Sequence, residues 1–472
     1  MPPSTPATDA TRRALLQALA AWQATHRPPR PNDPAQLTFF AADSPAACGS
    51  DTEGLPAPLA NALGAGSVRE LGALLETHHQ RSLPITVRKR QGQFCTPPSL
   101  VDSVLRTALG ALELGPHSTL HVLEPAAGFG AFAAATLDLC GASGRACELT
   151  TVEQDPLAGA VLDALCAVAI AEHPGIPLRH HALAGDFLLD DLDLVPGSFD
   201  LVIGNPPYVA SYARQAHALG DGVRERLRAR YRFARGRLNS AVCFLERALE
   251  LLRPGGVLAF VLPSALFNMK SWAELRAWLV DAHELVQVRY CGEGAFRAEV
   301  PVGVLVVRKG SDHPGFFPTP RLVEVVRDSP ASSVLCPPAL FHRFPGTIFN
   351  PHVDTGALAF LDRMEQGTIP LGVLVEIRDG INPANLAPIL ISRTPQTPQH
   401  RRLVRGGDIA PYRVTWNGEW VWYDRAAIAA KAGEGGYGFL REEWIFQAPV
   451  KLIHRQTADK LVAAVDCVQL YV

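Results

Sequence analysis

From residue 92 onward, short apolar runs alternate with longer stretches in which apolar residues recur every three or four positions. The runs at 121–123, 149–152, 199–203, 257–262, 285–290 and 302–307 are too short for helices and are bounded by turn residues. They read as buried strands. Helical stretches separate them, notably 100–112, capped by Ser99 with Asp102 in its first turn, and 239–252, closed by Arg253-Pro254-Gly255-Gly256. This alternation predicts an α/β fold with a mostly parallel, doubly wound, Rossmann-like sheet. The last two strands have a short connection, which predicts an antiparallel edge hairpin.

The pattern differs at both ends. Residues 11–25 are amphipathic and stop at His26-Arg27-Pro28-Pro29; a Pro-, Ala- and Gly-rich connector, 30–66, leads to a second helical stretch, 67–79. Residues 1–85 read as a helical extension of a catalytic domain at 86–310, with the basic run Arg88-Lys89-Arg90 near the junction as a solvated turn or a phosphate contact. A Pro-, Gly- and Asp-rich linker follows at 311–320. Beyond it the βα rhythm is lost. Strand-like runs at 370–377, 401–404, 412–416, 419–423 and 450–455 predict a separate α+β domain at 321–472.

Composition narrows this picture. The chain has 472 residues, 47% hydrophobic and 19% charged, enough for several folded domains. Its formal net charge is -2, so a nucleic-acid partner would be met by local patches. Nine cysteines show no C-x-x-C pair and no metal-ligand spacing, which reads as reduced thiols and no metal site. No signal peptide or apolar run of spanning length appears, so the cytoplasm is the expected compartment and no membrane is expected.

Candidate chemistry collects where strands end, the place where open α/β sheets bind ligands. After strand 199–203 come Asn205-Pro206-Pro207-Tyr208: an amide acceptor, two rigid prolines with directed carbonyls, and a flat ring. These suit a planar ring carrying an exocyclic NH2. After strand 121–123 comes Glu124-Pro125-Ala126-Ala127-Gly128-Phe129-Gly130, where glycines allow close approach and the carboxylate can accept from an ammonium group. Glu153 ends the next strand and suits ribose hydroxyls. Gly185-Asp186-Phe187 offers an acceptor for an adenine amino group and a ring to pack on it. Ammonium, ribose and adenine together outline S-adenosylmethionine.

The order Thr96-Pro97, Glu124 to Gly130, Glu153, Gly185-Asp186-Phe187, Asn205-Pro206-Pro207-Tyr208 resembles the gamma class of N6-adenine DNA methyltransferases, closest to the Taq-type and Eco57-type modification enzymes. The resemblance runs from about residue 92 to the end. It includes Gly294-Ala295-Phe296 and, more loosely, Asp379 to Pro383, Leu403 to Ile409 and Pro449 to Gln456. It implies an S-adenosylmethionine site formed by Thr96, Glu124, Ala126, Gly128, Gly130, Glu153, Asp186, Phe187, Asn205 and Pro207, with Thr96 at the methionine carboxylate. It also implies a site-specific DNA methyltransferase of a restriction-modification or anti-phage defence system, acting on a flipped-out adenine. Tyr208 would then supply one aromatic wall and Phe296 a second. The Asn205 side chain and the Pro206 carbonyl would accept the two N6 hydrogens, favouring a pyramidal amine aimed at the sulfonium methyl. Catalysis would rest on alignment and hydrogen-bond electrostatics, without a metal or a covalent intermediate. Cytosine C5 chemistry needs a nucleophilic cysteine. Cys95 and Cys336 are not placed at the end of strand 199–203, and both read as structural.

In the domain after Arg321, a basic cluster of Arg401, Arg402 and Arg405 with Trp416 and Trp420 is the expected DNA contact, against the alternative of a half-exposed sheet with alternating aromatics. Double-stranded DNA is the expected partner, and a cognate restriction endonuclease a further one. The family's recognition pattern normally continues past 463–466, which predicts an incomplete domain, either because the chain is a truncated form or because another polypeptide completes it. Two other readings compete. Asn-Pro-Pro-Tyr also serves N5-glutamine protein and guanine-N2 RNA methyltransferases, which do not account for Thr96-Pro97 or the long C-terminal domain. An inert DNA-recognition subunit would not need Glu124, Asp186, Asn205 and Tyr208 intact.

Overall fold

Burial on both faces is what the apolar runs demand, and the chain provides it with one large sheet. The computed structural model describes residues 96–115, 118–208, 221–235, 239–292, 301–310, 321–328, 331–352, 355–383, 386–426 and 440–472. The predicted helices at 11–25 and 67–79, the basic run 88–90, Cys95 and Phe296 lie outside the described residues. Two compact units divide between Ala359 and Phe360.

The first unit holds a nine-stranded sheet in the order β3-β2-β1-β4-β5-β7-β6-β8-β9. The strands are β1 (Leu120–Glu124), β2 (Cys147–Glu153), β3 (Leu178–Ala184), β4 (Phe199–Gly204), β5 (Leu252–Pro263), β6 (Glu284–Tyr290), β7 (Val302–Arg308), β8 (Val323–Asp328) and β9 (Ala331–Cys336). Strands β1 to β5 are mutually parallel, and β7 runs antiparallel between β5 and β6. Every residue of β4 and of β7 is buried, as expected for strands covered by helices on both faces. Asp200, inside β4, is tolerated because its carboxylate accepts the His121 N–H at 2.9 Å and Arg253 Nε at 2.5 Å.

The helices are α1 (Pro98–Ala111), α2 (Ala131–Ala142), α3 (Pro156–Ala171), α4 (Asp221–Arg230), α5 (Ser240–Leu251) and α6 (Ala273–Ala282). α1 buries Leu100, Val101, Val104, Leu105 and Ala108. It is also clamped by arginines of the antiparallel pair: Arg289 Nη1 donates to Ser103 Oγ at 2.7 Å, and Arg308 Nη2 to the Ala111 carbonyl at 2.5 Å. The second clamp satisfies a carbonyl that the helix end leaves open. It fixes the helix whose N-terminal end carries Thr96.

Two expectations are revised. The β6–β7 hairpin is not the sheet edge, because β8 pairs in parallel with β6, and β9 pairs with β8. Residues 323–336, assigned by sequence to the C-terminal domain, therefore extend the first unit's sheet, and the predicted linker 311–320 does not mark the division between units.

The second unit is made of small pieces. A three-stranded sheet orders Ile391–Ser392, Trp420–Trp422 and His400–Arg402, while Ile409–Ala410 pairs with Arg413–Val414 and Lys451–His454 with Ala463–Asp466. Two small cores form, one around Leu390, Val421, Phe446 and Tyr471, the other around Ile409, Ile453, Ala464 and Leu470. Of the strand-like run 370–377, Leu371–Leu374 is a helical turn. Tyr471 is buried: its N–H donates to the Arg402 carbonyl at 2.9 Å, and its own carbonyl accepts the Val404 N–H at 2.8 Å.

Candidate active site

Parallel pairing brings the carboxyl ends of β3, β2, β1 and β4 side by side, so the residues just past them share one edge. Glu124 closes β1 and is 2% exposed. A Cβ on Gly204, at the end of β4, would stand 3.5 Å from Glu124 Cγ, so the two strand ends lie within side-chain reach. Glu153 closes β2. Its Oε2 accepts the Gly128 N–H at 2.7 Å and its Oε1 the Asp155 N–H at 2.8 Å, which joins the first two strand-end turns. Burial pushes the Glu153 carboxyl above its ordinary value, against those same backbone bonds, which favour the ionised form.

The turn after β1 has the shape of a cradle. Gly130 caps α2 at φ +84°, a backbone conformation that other residues rarely adopt, and packs against the Leu162 side chain of α3, whose Cδ1 would lie 2.7 Å from an added Cβ. Gly128, at φ +53°, faces open space where its Cβ would be. Ala126 beside it is half-buried.

Past β3, Asp186 Oδ1 accepts the Leu188 N–H at 2.8 Å, so this carboxylate shapes its own turn as well as standing at the edge. Phe187 is 2% exposed, stacks on Phe244 at 5.1 Å between centroids and lies 4.7 Å beneath the Arg247 guanidinium. Its ring is a core side chain here.

Past β4, the Asn205 amide is held at both ends. Nδ2 donates to Thr96 Oγ1 at 3.0 Å, and the Tyr208 hydroxyl donates to Oδ1. Thr96 is 2% exposed and Tyr208 8%. Burial, with Cys291 nearby, holds the Tyr208 hydroxyl proton well beyond the usual phenol range, so the hydroxyl stays a donor. The Pro207 carbonyl accepts the hydroxyl of Ser240, which with Asn239 opens α5; the Asn239 side chain caps that helix by accepting the Ala241 N–H at 3.0 Å. No local pattern reveals the Thr96–Asn205 pairing, which joins residues 109 positions apart.

The structure thus gathers Thr96, Glu124, Ala126, Gly128, Gly130, Glu153, Asp186 and Asn205 to Tyr208 at one edge of one unit. The predicted DNA-contact residues lie in the other unit. There Arg401 Nη2 stands 3.5 Å from Glu443, and Arg405 Nε 2.6 Å from Glu419 Oε2. Arg402 lies 5.1 Å over Trp416, whose indole N–H donates to the Glu419 carbonyl at 2.7 Å and whose ring meets Trp420 edge-on at 5.1 Å.

The order 3-2-1-4-5-7-6 with β7 reversed, and a row of acceptors at the strand ends, is the class I S-adenosylmethionine-dependent methyltransferase fold. Residues 183–296 match the family model of the Eco57I restriction-modification methylase. The type II methyltransferase M.TthHB8I of Thermus thermophilus is 31% identical over 246 residues, covering 51% of this chain and 50% of that one. The type II methyltransferase M.PaeR7I of Pseudomonas aeruginosa is 28% identical over 242 residues, 47% of this chain and 41% of that one. The chain spans about half the length of these curated relatives.

Proposed function

We propose that the protein is an S-adenosylmethionine-dependent DNA methyltransferase of a restriction-modification system, that it modifies N6 of an extrahelical adenine, and that it works in the cytoplasm. The observation that carries this reading is the fixed Asn205 amide, whose nitrogen donates to Thr96 Oγ1 and whose oxygen accepts the Tyr208 hydroxyl. The relatives named as type II methyltransferases support the DNA substrate, as does a 24% identity over 131 residues to the type II restriction enzyme and methyltransferase RM.Eco57I of Escherichia coli.

The residues fit the cofactor. Glu124 is a buried carboxylate for an ammonium, Glu153 keeps lone pairs for hydroxyls beyond its two backbone bonds, and the open face of Gly128 leaves room for backbone approach. Asp186 stands where an adenine amino group would be met. S-adenosylmethionine, when bound, supplies an electrophilic methyl on sulfonium. Asn205 Oδ1 and the Pro206 carbonyl accept the N6 hydrogens and hold the amine lone pair in line. Asn205 cannot take a proton as a base, so its contribution is electrostatic alignment. Tyr208 releases Asn205 when a base enters and offers its ring for stacking, worth about 1–3 kcal/mol against the flipping cost. Phe296 is the proposed second wall. Base reading is assigned to the second unit, where the exposed Arg402 stands against Trp416.

The test is transfer of labelled methyl to unmethylated duplex DNA, followed by mapping of the product. N6-methyladenine in a short sequence context is expected. Asn205→Ala should lower the rate by about 10²–10³-fold or more, the loss typical when one aligned hydrogen-bonding group is removed. Label on cytosine, or only on RNA or protein, would overturn the proposal.

A further inference from the structure

Residues 224–235 read Arg-Glu-Arg-Leu-Arg-Ala-Arg-Tyr-Arg-Phe-Ala-Arg: six arginines and one acid, in a chain whose net charge is -2. On α4 and just after it, Leu227 and Tyr231 are buried one turn apart, while Arg226, Arg228, Arg230, Arg232 and Arg235 are exposed. The inward residues fix the helix, so the guanidinium groups flank it on the solvent side.

None of these five exposed arginines makes an ion pair with a carboxylate among the described residues. Some exposed arginines elsewhere do, Arg179 with Glu148 at 3.5 Å, Arg321 with Glu113 at 2.6 Å, Arg405 with Glu419 at 2.6 Å and Arg425 with Glu442 at 2.7 Å, while Arg106, Arg393, Arg402 and Arg413 make no ion pair among the described residues. What sets the α4 segment apart is that five such arginines fall within ten residues. Arg226 and Arg230 each donate to a carbonyl, that of Leu189 at 2.9 Å and of Leu188 at 3.2 Å. The nearby Glu246 is engaged by backbone, accepting the N–H groups of Arg232 at 2.8 Å and Phe233 at 3.1 Å. Among the described residues, no carboxylate pairs with the guanidinium groups of this face.

Its place in the chain gives it a use. The segment lies between Tyr208 and Ser240, and Ser240 binds back to the Pro207 carbonyl. Its anchors, Leu188 and Leu189, directly follow Asp186 and Phe187. The same turns that form the proposed active site thus carry the arginine face. We infer that this face, Arg226 to Arg235, binds the phosphate backbone of the duplex whose base enters the Asn205 site, so that the catalytic unit holds DNA itself rather than relying on the second unit for affinity. The inference rests on the DNA-methyltransferase reading above. Arginine suits the role because its planar fork meets phosphate oxygens with two donors. Such contacts position the duplex without reading its sequence.

Fluorescence anisotropy of a labelled DNA duplex with the full chain, over a series of salt concentrations, tests this. Each phosphate contact contributes about 0.9 to the slope of log affinity against log salt. The triple variant R228Q/R232Q/R235Q should flatten the slope by about 2.7 and weaken binding to specific and unrelated duplexes alike. The matching triple lysine variant, which keeps the charge, should retain most of the slope. A glutamine triple with the wild-type slope would overturn the inference, as would a lysine triple as impaired as the glutamine one. Labelled-methyl transfer by the wild-type chain separates the two readings. Transfer to DNA with an unchanged glutamine-triple slope removes only the arginine face, whereas transfer to RNA or protein instead of DNA removes both.

Discussion

The two units handle polar groups in different ways. In the first, the central strands β1 and β4 are almost wholly apolar, with Asp200 held by His121 and Arg253, and the polar side chains collect where the strands stop: Glu124, Glu153, Asp186 and Asn205 form one edge. In the second, strands of two to four residues cannot bury two faces, and charges are threaded through the fold in pairs, Arg405 with Glu419, Arg425 with Glu442, Arg441 with Asp379 and Lys451 with Asp466. The comparison teaches that clustering of arginines in sequence does not show which are available to a ligand. In the Arg401–Arg405 cluster, Arg401 and Arg405 are paired within their own unit, while Arg226, Arg228, Arg230, Arg232 and Arg235 make no ion pair among the described residues.

The largest effect should come from the buried charge of the second unit. Asp466 is 1% exposed; its carboxylate accepts the Lys451 ammonium and the N–H groups of Val468 at 2.9 Å and Leu470 at 2.8 Å. Asp466→Ala strands one ammonium and two backbone donors, a loss of about 3–5 kcal/mol. Hydrogen exchange should then show amides around Lys451–His454 and Ala463–Asp466 losing protection, with β1 and β4 unaffected. Equal loss in both units would mean that they unfold together and that the comparison describes chemistry but not stability.

The next effect lies within the first unit. Thr96→Val removes the acceptor of the Asn205 amide, and a buried donor left without it costs about 1–3 kcal/mol. If Thr96 acts by orienting Asn205, kcat falls about 5–150-fold while the KM for S-adenosylmethionine changes little, and Thr96→Ser restores the rate. A rise in KM with kcat held would assign Thr96 to the cofactor carboxylate instead, the role implied by its resemblance to the family motif.

These cases also mark what could be read from sequence. The buried strands were legible because apolar runs end in turn residues, and Glu124, Glu153 and Asn205 stand out because each follows such a run; Thr96 and Asp186 do not, since Thr96 precedes a helix and Asp186 follows the largely exposed β3. β8 and β9 were missed because their exposed and buried residues interleave, as in Val323-Glu324-Val325, a period-2 signal that was present but followed a linker-like stretch. Phe187 stacks on Phe244, a neighbour 57 positions away that no local pattern reveals. The second unit's ion pairs join residues such as Arg441 and Asp379, 62 positions apart, so the sequence pattern does not show which of its arginines are already paired.

The smallest effect is the one that bears most directly on the two arginine populations. Arg405 is exposed and held by Glu419 at 2.6 Å, so Arg405→Ala should cost only about 0.2–1 kcal/mol of stability. It should also change the salt slope of duplex binding by less than the value of about 0.9 for one phosphate contact, because the carboxylate already neutralises the guanidinium. Glu419→Gln gives the converse: it frees Arg405, and the slope should steepen by up to about 0.9. A strong loss of affinity in Arg405→Ala, with no gain in Glu419→Gln, would mean that the pair opens on DNA. Compensation in the free protein would then say nothing about which arginines the duplex uses.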